Sequence, residues 1–244
     1  MERRWTPELM DEPDADRDQL DRSLAFLRWT NRRFGGTSAL LGPLRRWARS
    51  WPKDQPIEVL DLGTGSADIP VEVVRWALQA GHNVRVTAVD AHETTLELAR
   101  EHIAESGEAI AKRVELVHAD ALSLTDTYRD GHFDYVHAGL FLHHMRNEMV
   151  IMTVLRIMDR LASRGLVWND LYRHPLGVIG VRAISMNAPE MVQHDGPASV
   201  RAGFTKPEAM DLCHRVGIDY ARWSFKPLSM RFVLAGERPG AWRT

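Results

Sequence analysis

From residue 57 onward, the sequence alternates between short apolar runs and longer stretches with helical periodicity. Five of the apolar runs have the length of buried strands, at residues 57–62, 84–90, 114–119, 133–138 and 165–169. Strands that alternate with helices of roughly 10 to 15 residues are typical of βαβ units and a parallel, doubly wound sheet. The alternation therefore predicts an α/β fold.

The end of the chain departs from this alternation. Two strand-like runs, at residues 218–225 and 230–237, are separated by residues 226–229. A connection this short fits an antiparallel hairpin, because a parallel pair of strands needs a crossover helix. We therefore expect a seven-stranded, mostly parallel sheet that ends with an antiparallel C-terminal strand.

Residues 1–50 precede the first predicted strand. They contain two amphipathic helical patterns, at residues 16–33 and 38–50, and we expect Gly35 and Gly36 to separate the two helices. Each helix has one apolar face to bury. The helices either pack on the edge of the domain or form an N-terminal cap over the functional site.

An insertion follows the fifth predicted strand. Residues 171–204 are far more than the usual 2 to 6 residues of an αβ loop, and they follow the strand end at which open α/β sheets bind ligands. We interpret this segment as a lid within a main domain of residues 51–244. Its apolar residues favour an apolar or aromatic ligand, or serve only to bury the lid itself: Leu171, Leu176, Val178, Ile179, Val181, Ile184, Met186 and Met191.

Composition and charge exclude several classes of protein. Lys and Arg number 31 against 33 Asp and Glu, so the basic footprint of a nucleic-acid-binding protein is missing. The single cysteine, Cys213, excludes an intramolecular disulfide framework. No apolar run reaches the roughly 18 residues of a membrane span, and the first residues lack the apolar core of a signal peptide. We expect a cytoplasmic protein without a nucleic-acid partner or stable membrane insertion. Peripheral membrane contact and the oligomeric state stay open.

The loop after the first strand has the features of a cofactor site. Gly63 and Gly65 permit a tight turn and a close approach of backbone to a ligand, and Pro70 follows in the first turn of a helix. Asp90 ends the second strand 25 positions after Gly65, where a carboxylate can accept hydrogen bonds from a ribose. A strand, a glycine turn, a helix and this carboxylate together predict a cofactor that contains a nucleoside.

Asp68 occupies the third-glycine position of the G-x-G-x-x-G dinucleotide pattern. A carboxylate in the first helical turn repels a pyrophosphate, whereas S-adenosylmethionine (SAM) carries an ammonium and a sulfonium. With Asp61 adding a second acid, the loop favours SAM over NAD(P). The alternative interpretation of Asp68 is a partner of the helix dipole. An NAD(P)-dependent oxidoreductase stays as the weaker alternative for the whole chain.

The motifs VLDLGTGSADIP, AVDAH, VHADAL and FDYVHAGLFLHH resemble, in order and spacing, those of class I SAM-dependent methyltransferases, nearest to small-molecule and quinone-type members. The resemblance implies a Rossmann-like fold, SAM as cofactor and S-adenosylhomocysteine (SAH) as product. It also implies that Asp120 and Ala121 lie at the adenine and that His137 to Leu142 lie beneath the sulfonium. The complete set of predicted cofactor residues is Asp61, Gly63, Thr64, Gly65, Asp68, Asp90, Ala91, Asp120, Ala121, His137, Ala138 and Gly139.

Methyl transfer needs an aligned acceptor and, for a phenol or enol, a proton acceptor with a pKa near neutrality. His143 and His144 follow the fourth strand, and we expect only one of them to face the substrate because helical neighbours point about 100° apart. Asp170, at the end of the fifth strand, is a candidate for orienting the substrate. His194 belongs to a turn-like His-Asp-Gly cluster of the lid, and its alternative is an exposed turn. No zinc-type spacing is present, so we predict no metal site.

The substrate class follows partly by exclusion. The stretch HAGLFLHH replaces the [DNS]PP[YF] segment that is typical of enzymes methylating nucleobase or glutamine nitrogens. We therefore expect a methyltransferase that acts on oxygen or carbon of a small acceptor, aromatic, polyketide-like or quinol-like, as in secondary metabolism. The alternative outside catalysis is a SAM-binding partner protein that no longer transfers methyl groups.

Overall fold

The computed structural model describes residues 1–241. A seven-stranded sheet forms its centre, in the order β3-β2-β1-β4-β5-β7-β6. Strands β1 to β5 are parallel, and β7 runs antiparallel between β5 and β6, which confirms the predicted topology. The strands are β1 (Ile57–Leu62), β2 (Val84–Asp90), β3 (Val114–His118), β4 (Phe133–Gly139), β5 (Ala162–Leu171), β6 (Arg222–Lys226) and β7 (Arg231–Glu237).

Ten α-helices are described within residues 1–241, and none of them is both long enough and apolar enough to span a membrane. The helices are α1 (Arg17–Phe34), α2 (Gly36–Trp47), α3 (Asp68–Ala80), α4 (Glu93–Glu105), α5 (Glu108–Ala111), α6 (Leu124–Thr127), α7 (Glu148–Leu161), α8 (Pro175–Ile184), α9 (Glu190–Ala202) and α10 (Lys206–Arg215). Helix α10 begins with the predicted capping box of Thr205 and Glu208.

Helices cover both faces of the sheet, so the central strands are buried on both sides. On one face, Val59 and Tyr135 pack with residues of α2 and α3. On the opposite face, Leu60 and Val136 pack with residues of α7 and α10. Successive residues of one strand thus serve two separate cores, which explains why these strands are almost continuously apolar.

The parallel register brings the ends of four strands to one edge of the sheet. Asp61 of β1 pairs with His137 of β4, and Gly139 of β4 pairs with Asn169 of β5. Asp90 ends β2 at the same edge. The polar residues that end these strands therefore meet where doubly wound sheets bind ligands.

The junction of the first two helices differs from the prediction. Gly35 ends α1 in a left-handed conformation, with φ of 85°, but Gly36 is already the first residue of α2. Helix α2 therefore starts two residues earlier than expected, and residues 48–50 form a separate 3-10 turn. Close packing explains why glycine occupies position 36, because a Cβ there would lie 2.3 Å from Oδ1 of Asn31 and 2.4 Å from Nη1 of Arg231.

Three other predictions were wrong, namely the turn at residues 194–196 and the bounds of β5 and β6. Strand β5 covers Ala162–Leu171 rather than residues 165–169. The His194-Asp195-Gly196 cluster is not a turn, because it lies inside α9. Gly196 and Pro197 are residues typical of turns. A helix forms there instead because Asp195 and the apolar residues of α9 are buried against α1 and α8. Strand β6 starts at Arg222 rather than at residue 218.

Candidate active site

A cavity of about 890 Å³ opens at the C-terminal edge of the sheet. Its walls come from the loops after β1 and β2, the end of β4, and helices α1, α8 and α9. The N-terminal segment of residues 1–12 adds Glu8, Met10 and Asp11 to the wall. The predicted cap and the predicted lid therefore both border the space above the strand ends.

The glycine loop after β1 closes one side of the cavity. Gly63 and Gly65 have positive φ values of 63° and 55°. A Cβ on Gly63 would lie 2.3 Å from the ring of Phe141, so the close approach there is to a neighbouring side chain. The hydroxyl of Thr64 donates to Asp61 at 2.7 Å and ties the loop to the end of β1.

Asp90 joins the glycine loop to the end of β2. Its Oδ2 accepts a hydrogen bond from the backbone N–H of Gly65 at 2.9 Å, and its Oδ1 accepts one from the N–H of His92 at 3.0 Å. Burial raises the pKa of Asp90, while these two backbone donors act to lower it. The carboxylate therefore fixes the shape of the loop in addition to lining the cavity.

Nine of the twelve predicted cofactor residues line the cavity. Ala138 is buried in the core beneath it, and Ala121 is buried in the turn after β3. Asp120 lies outside the lining, where its carboxylate accepts from the N–H of Leu122 at 2.9 Å. The nine lining residues are Asp61, Gly63, Thr64, Gly65, Asp68, Asp90, Ala91, His137 and Gly139.

A buried polar row forms part of the cavity floor. Nδ1 of His137 hydrogen-bonds to Asp61, and Nε2 of His137 accepts from the side-chain amide of Asn169 at 2.7 Å. With Nε2 acting as an acceptor, Nδ1 carries the proton that His137 donates to Asp61. Both ring nitrogens are therefore engaged, and His137 has no free nitrogen to take a proton from a ligand.

His143 faces the cavity, and Asp170 lies behind it. Nδ1 of His143 and Oδ1 of Asp170 are 2.6 Å apart, and the backbone N–H of Leu171 donates to Asp170 at 2.8 Å. Burial opposes ionisation of Asp170, but the adjacent His143 and the hydrogen bonds hold its pKa below the ordinary value. Nε2 of His143 lies 3.6 Å from Oε1 of Glu8 and is the nitrogen left to meet a ligand.

His144 is held differently from its neighbour. Its Nδ1 lies 2.6 Å from the carboxylate of Asp11, and its backbone carbonyl accepts from the indole N–H of Trp5 at 2.7 Å. Burial acts to lower the pKa of His144, but the negative charges of Glu8 and Asp11 outweigh it and raise the pKa to about 10. His144 is therefore a paired cation near neutral pH and is poorly suited to accept a proton.

The N-terminal segment of residues 1–12 was missed as part of the site. Glu8 is buried, accepts from the hydroxyl of Ser199 at 2.8 Å, and has a pKa raised by burial. The backbone N–H groups of Leu9 and Met10 donate to the two oxygens of Asp195 on α9, at 2.9 and 3.1 Å. No periodicity or motif in these residues signals such contacts.

His194 lies apart from the other candidates. Its ring does not line the cavity, its side chain is 55% exposed, and its Nδ1 lies 2.8 Å from Asp195. The structure therefore groups His143, His144 and Asp170 but leaves His194 on the outer side of α9.

The histidines also bear on the question of a metal site. One ligating atom each from Glu8, His143 and His144 lies within 4.8 Å of the others, a grouping that the sequence did not predict. Asp170 and Asp11 already hold one nitrogen each of the two histidines. His137 does not join this group, since Asp61 and Asn169 occupy its ring nitrogens.

Residues 59–165 match the family model described as a methyltransferase domain. This range runs from β1 into β5 and includes the glycine loop, Asp90, His143 and His144. A search of curated protein sequences finds no match to the chain.

Solved structures with the same fold have low sequence identity to this chain. The magnesium protoporphyrin IX methyltransferase of Synechocystis PCC 6803, with bound SAH, is 15% identical with a TM-score of 0.58, covering 83% of this chain and 81% of that chain. A candidate O-methyltransferase from Nostoc punctiforme PCC 73102 is 17% identical with a TM-score of 0.57, and the match covers 86% of this chain and 60% of that chain. The citrinin polyketide synthase CMeT domain is 15% identical with a TM-score of 0.60, and the match covers 80% of this chain and 49% of that chain. This chain thus spans less than two thirds of the last two.

Proposed function

We propose that this chain is a class I SAM-dependent methyltransferase that uses SAM as its cofactor and methylates oxygen or carbon of a small, hydroxylated and largely apolar acceptor. The match of residues 59–165 to a methyltransferase domain model supports this proposal. The observation that carries this proposal is the pair of His143 and Asp170 at the wall of the cavity, with Nδ1 and Oδ1 2.6 Å apart. An imidazole oriented in this way presents its other nitrogen to a hydroxyl that must lose its proton.

The apolar part of the cavity wall supports an apolar acceptor. Helices α1 and α8 and the segment before β7 contribute apolar side chains to it, namely Phe26, Leu27, Phe34, Val181, Ile184, Leu228 and Met230. Of the apolar lid residues, Leu171, Val181, Ile184 and Met191 line the cavity, whereas Leu176, Ile179 and Met186 are exposed. A mostly apolar wall with a few polar groups is typical of small-molecule sites.

The proposed reaction is an in-line displacement at the methyl carbon of SAM. The hydroxyl proton of the acceptor passes to Nε2 of His143, and Asp170 stabilises the resulting imidazolium through Nδ1–H. An electron pair on the acceptor oxygen, or on a ring carbon activated by it, would then form the new bond to the methyl carbon. In the case of a ring carbon, that carbon would afterwards lose its own proton to solvent, which restores the aromatic ring. The carbon–sulfur bond breaks, and its electron pair remains on sulfur to give SAH.

We assign the cofactor to the side of the cavity formed by the glycine loop. Asp90 would accept from the ribose hydroxyls, and Gly63, Thr64, Gly65 and Gly139 would border the methionine part of SAM. The cap of residues 1–50 and the lid of residues 171–204 would close over the acceptor. The one cysteine, Cys213, is buried and free, which fits the reducing environment of the cytoplasm.

An acceptor screen tests this function. Purified protein is incubated with SAM and a panel of phenols, hydroxyquinones, reduced quinols and aromatic polyketides, and mass spectrometry monitors SAH and methylated products. We expect acceptor-dependent formation of SAH together with a mono-methylated phenolic or quinol product. The same yield from the His143→Asn variant would contradict the assigned proton acceptor. Products methylated only on nitrogen would contradict the acceptor class.

A further inference from the structure

Asp68 and Arg231 lie on the cavity wall with opposite charges but do not form a direct ion pair. Asn31 of α1 stands between them. Its amide nitrogen donates to Oδ2 of Asp68 at 2.9 Å, and its Oδ1 accepts from Nη1 of Arg231 at 2.8 Å. One amide therefore binds both side chains and holds their charges apart.

Arg231 is incompletely paired. It is buried, and burial lowers the pKa of its guanidinium to about 10. Its Nε has no hydrogen-bond partner among residues 1–241. The carboxylate of Asp68 reaches Arg231 only through the neutral amide of Asn31. A buried cation without an adjacent anion lowers the stability of the folded protein. The guanidinium thus has an unpaired donor, Nε, suited to an anion such as a carboxylate.

The position of Arg231 is set by its surroundings. It is the first residue of β7 and pairs in register with Leu171 at the end of β5. Its Nη1 approaches the backbone of Gly36, where even a Cβ would collide with it. Arg231 is also the only Arg or Lys among the described residues that line the cavity.

A ligand that satisfies both charges carries an ammonium and a carboxylate close together, as an α-amino acid does. We infer that Asp68, Asn31 and Arg231 form a binding site for the zwitterionic amino-acid end of SAM, with Arg231 on the carboxylate and Asp68 on the ammonium. Burial raises the pKa of Asp68, and a cationic partner would offset that cost. The inference rests on SAM as the cofactor and is independent of the acceptor.

Calorimetry with two adenosyl ligands tests the inference. SAH contains the amino-acid end, whereas 5′-methylthioadenosine has the same adenosyl thioether without it. For Arg231→Met, we expect the Kd of SAH to rise by roughly tenfold or more, because a buried charge-assisted pair is lost. The Kd of methylthioadenosine should stay within about twofold, since ribose and adenine contacts are unchanged. Retained binding of methylthioadenosine also shows that the variant is folded.

Two further variants and a control sharpen the result. Asn31→Ala should weaken the binding of SAH but not that of methylthioadenosine, because Asp68 and Arg231 would be free to pair with each other. Arg231→Lys should retain part of the SAH affinity, because its ammonium keeps the charge. The control is Arg33→Gln, an exposed arginine near the end of α1, and should change neither Kd. Unchanged SAH affinity in Arg231→Met, or equal losses for both ligands, would overturn the inference without affecting the proposed acceptor chemistry.

Discussion

Asp170 and His143 are 27 positions apart in sequence, yet Oδ1 of Asp170 lies 2.6 Å from Nδ1 of His143. Asp170 comes from β5, and His143 comes from the turn that follows β4. Because β4 and β5 are parallel neighbours, their ends meet at one edge of the sheet. The contact engages Nδ1 and leaves Nε2, which lies 3.6 Å from Oε1 of Glu8, as the ring nitrogen that can accept a proton.

Replacement of His143 by Asn should separate catalysis from cofactor binding. We expect turnover to fall by roughly 100-fold to 10,000-fold, because proton transfer to Nε2 is lost. The Kd of SAH should be unchanged. Steady-state kinetics and calorimetry measure the two effects, and His194→Asn is the matched control because that ring lies outside the cavity lining. A normal rate in His143→Asn across the pH range would remove this residue from the mechanism.

Asp90→Ala should weaken the binding of all adenosyl ligands by the same factor. The change removes the proposed ribose contacts and also the acceptor for the N–H of Gly65, so the glycine loop loses an anchor. We expect the Kd values of SAH and methylthioadenosine to rise by the same factor in calorimetry, unlike the selective loss expected for Arg231→Met. Affinities equal to those of the wild type would place the ribose elsewhere.

The pairing of His144 predicts how stability depends on pH. The pKa of His144 is about 10 in the folded protein against an ordinary value of 6.5, so its protonation favours the folded state. This contribution is complete below pH 6.5, decreases above it, and is lost as pH rises through about 10. The free energy of unfolding, measured by urea denaturation at intervals of roughly one pH unit, should therefore fall between pH 6 and pH 10.

Two variants isolate this effect. His144→Gln should flatten the alkaline decline, whereas His132→Gln, a change at an exposed histidine, should leave it as in the wild type. An equally steep decline in His144→Gln would show that another group is responsible.

Asp195 should control the order of the N-terminal segment. Its carboxylate accepts from the N–H groups of Leu9 and Met10, and Asp195→Ala removes both acceptors. We expect a loss of about 1 to 3 kcal/mol in the free energy of unfolding, because two partly buried donors lose their acceptors. Hydrogen exchange of these two amides should also accelerate. Asp14→Ala, at an exposed position, serves as the control, and unchanged amide protection in Asp195→Ala would contradict the anchoring role.

The fold was predictable because its signals are local. The apolar runs of β1 to β5 and the glycine turn at Gly63 and Gly65 follow from sequence periodicity and backbone conformation. His143 and Asp170 were each predicted from their places at strand ends. Their direct contact was not, since it depends on which strands are neighbours.

The remaining part of the site depends on tertiary contacts. Glu8 and Asp11 belong to a segment without regular periodicity, and only packing against α9 and the turn of His144 brings them to the cavity. Arg231 and Asn31 are 200 positions apart, and neither belongs to a recognised motif. The turn signal of Gly196 and Pro197 misled because the buried face of α9 stabilises a helix there.

A crystal structure with SAH tests the central claim most directly, because it locates the sulfur from which the methyl group leaves. We expect the ribose at Asp90, the amino-acid end between Asp68 and Arg231, and the sulfur facing Nε2 of His143 across open cavity that can hold an acceptor. A sulfur turned away from His143, or separated from it by protein, would contradict the proposed methyl transfer at this site.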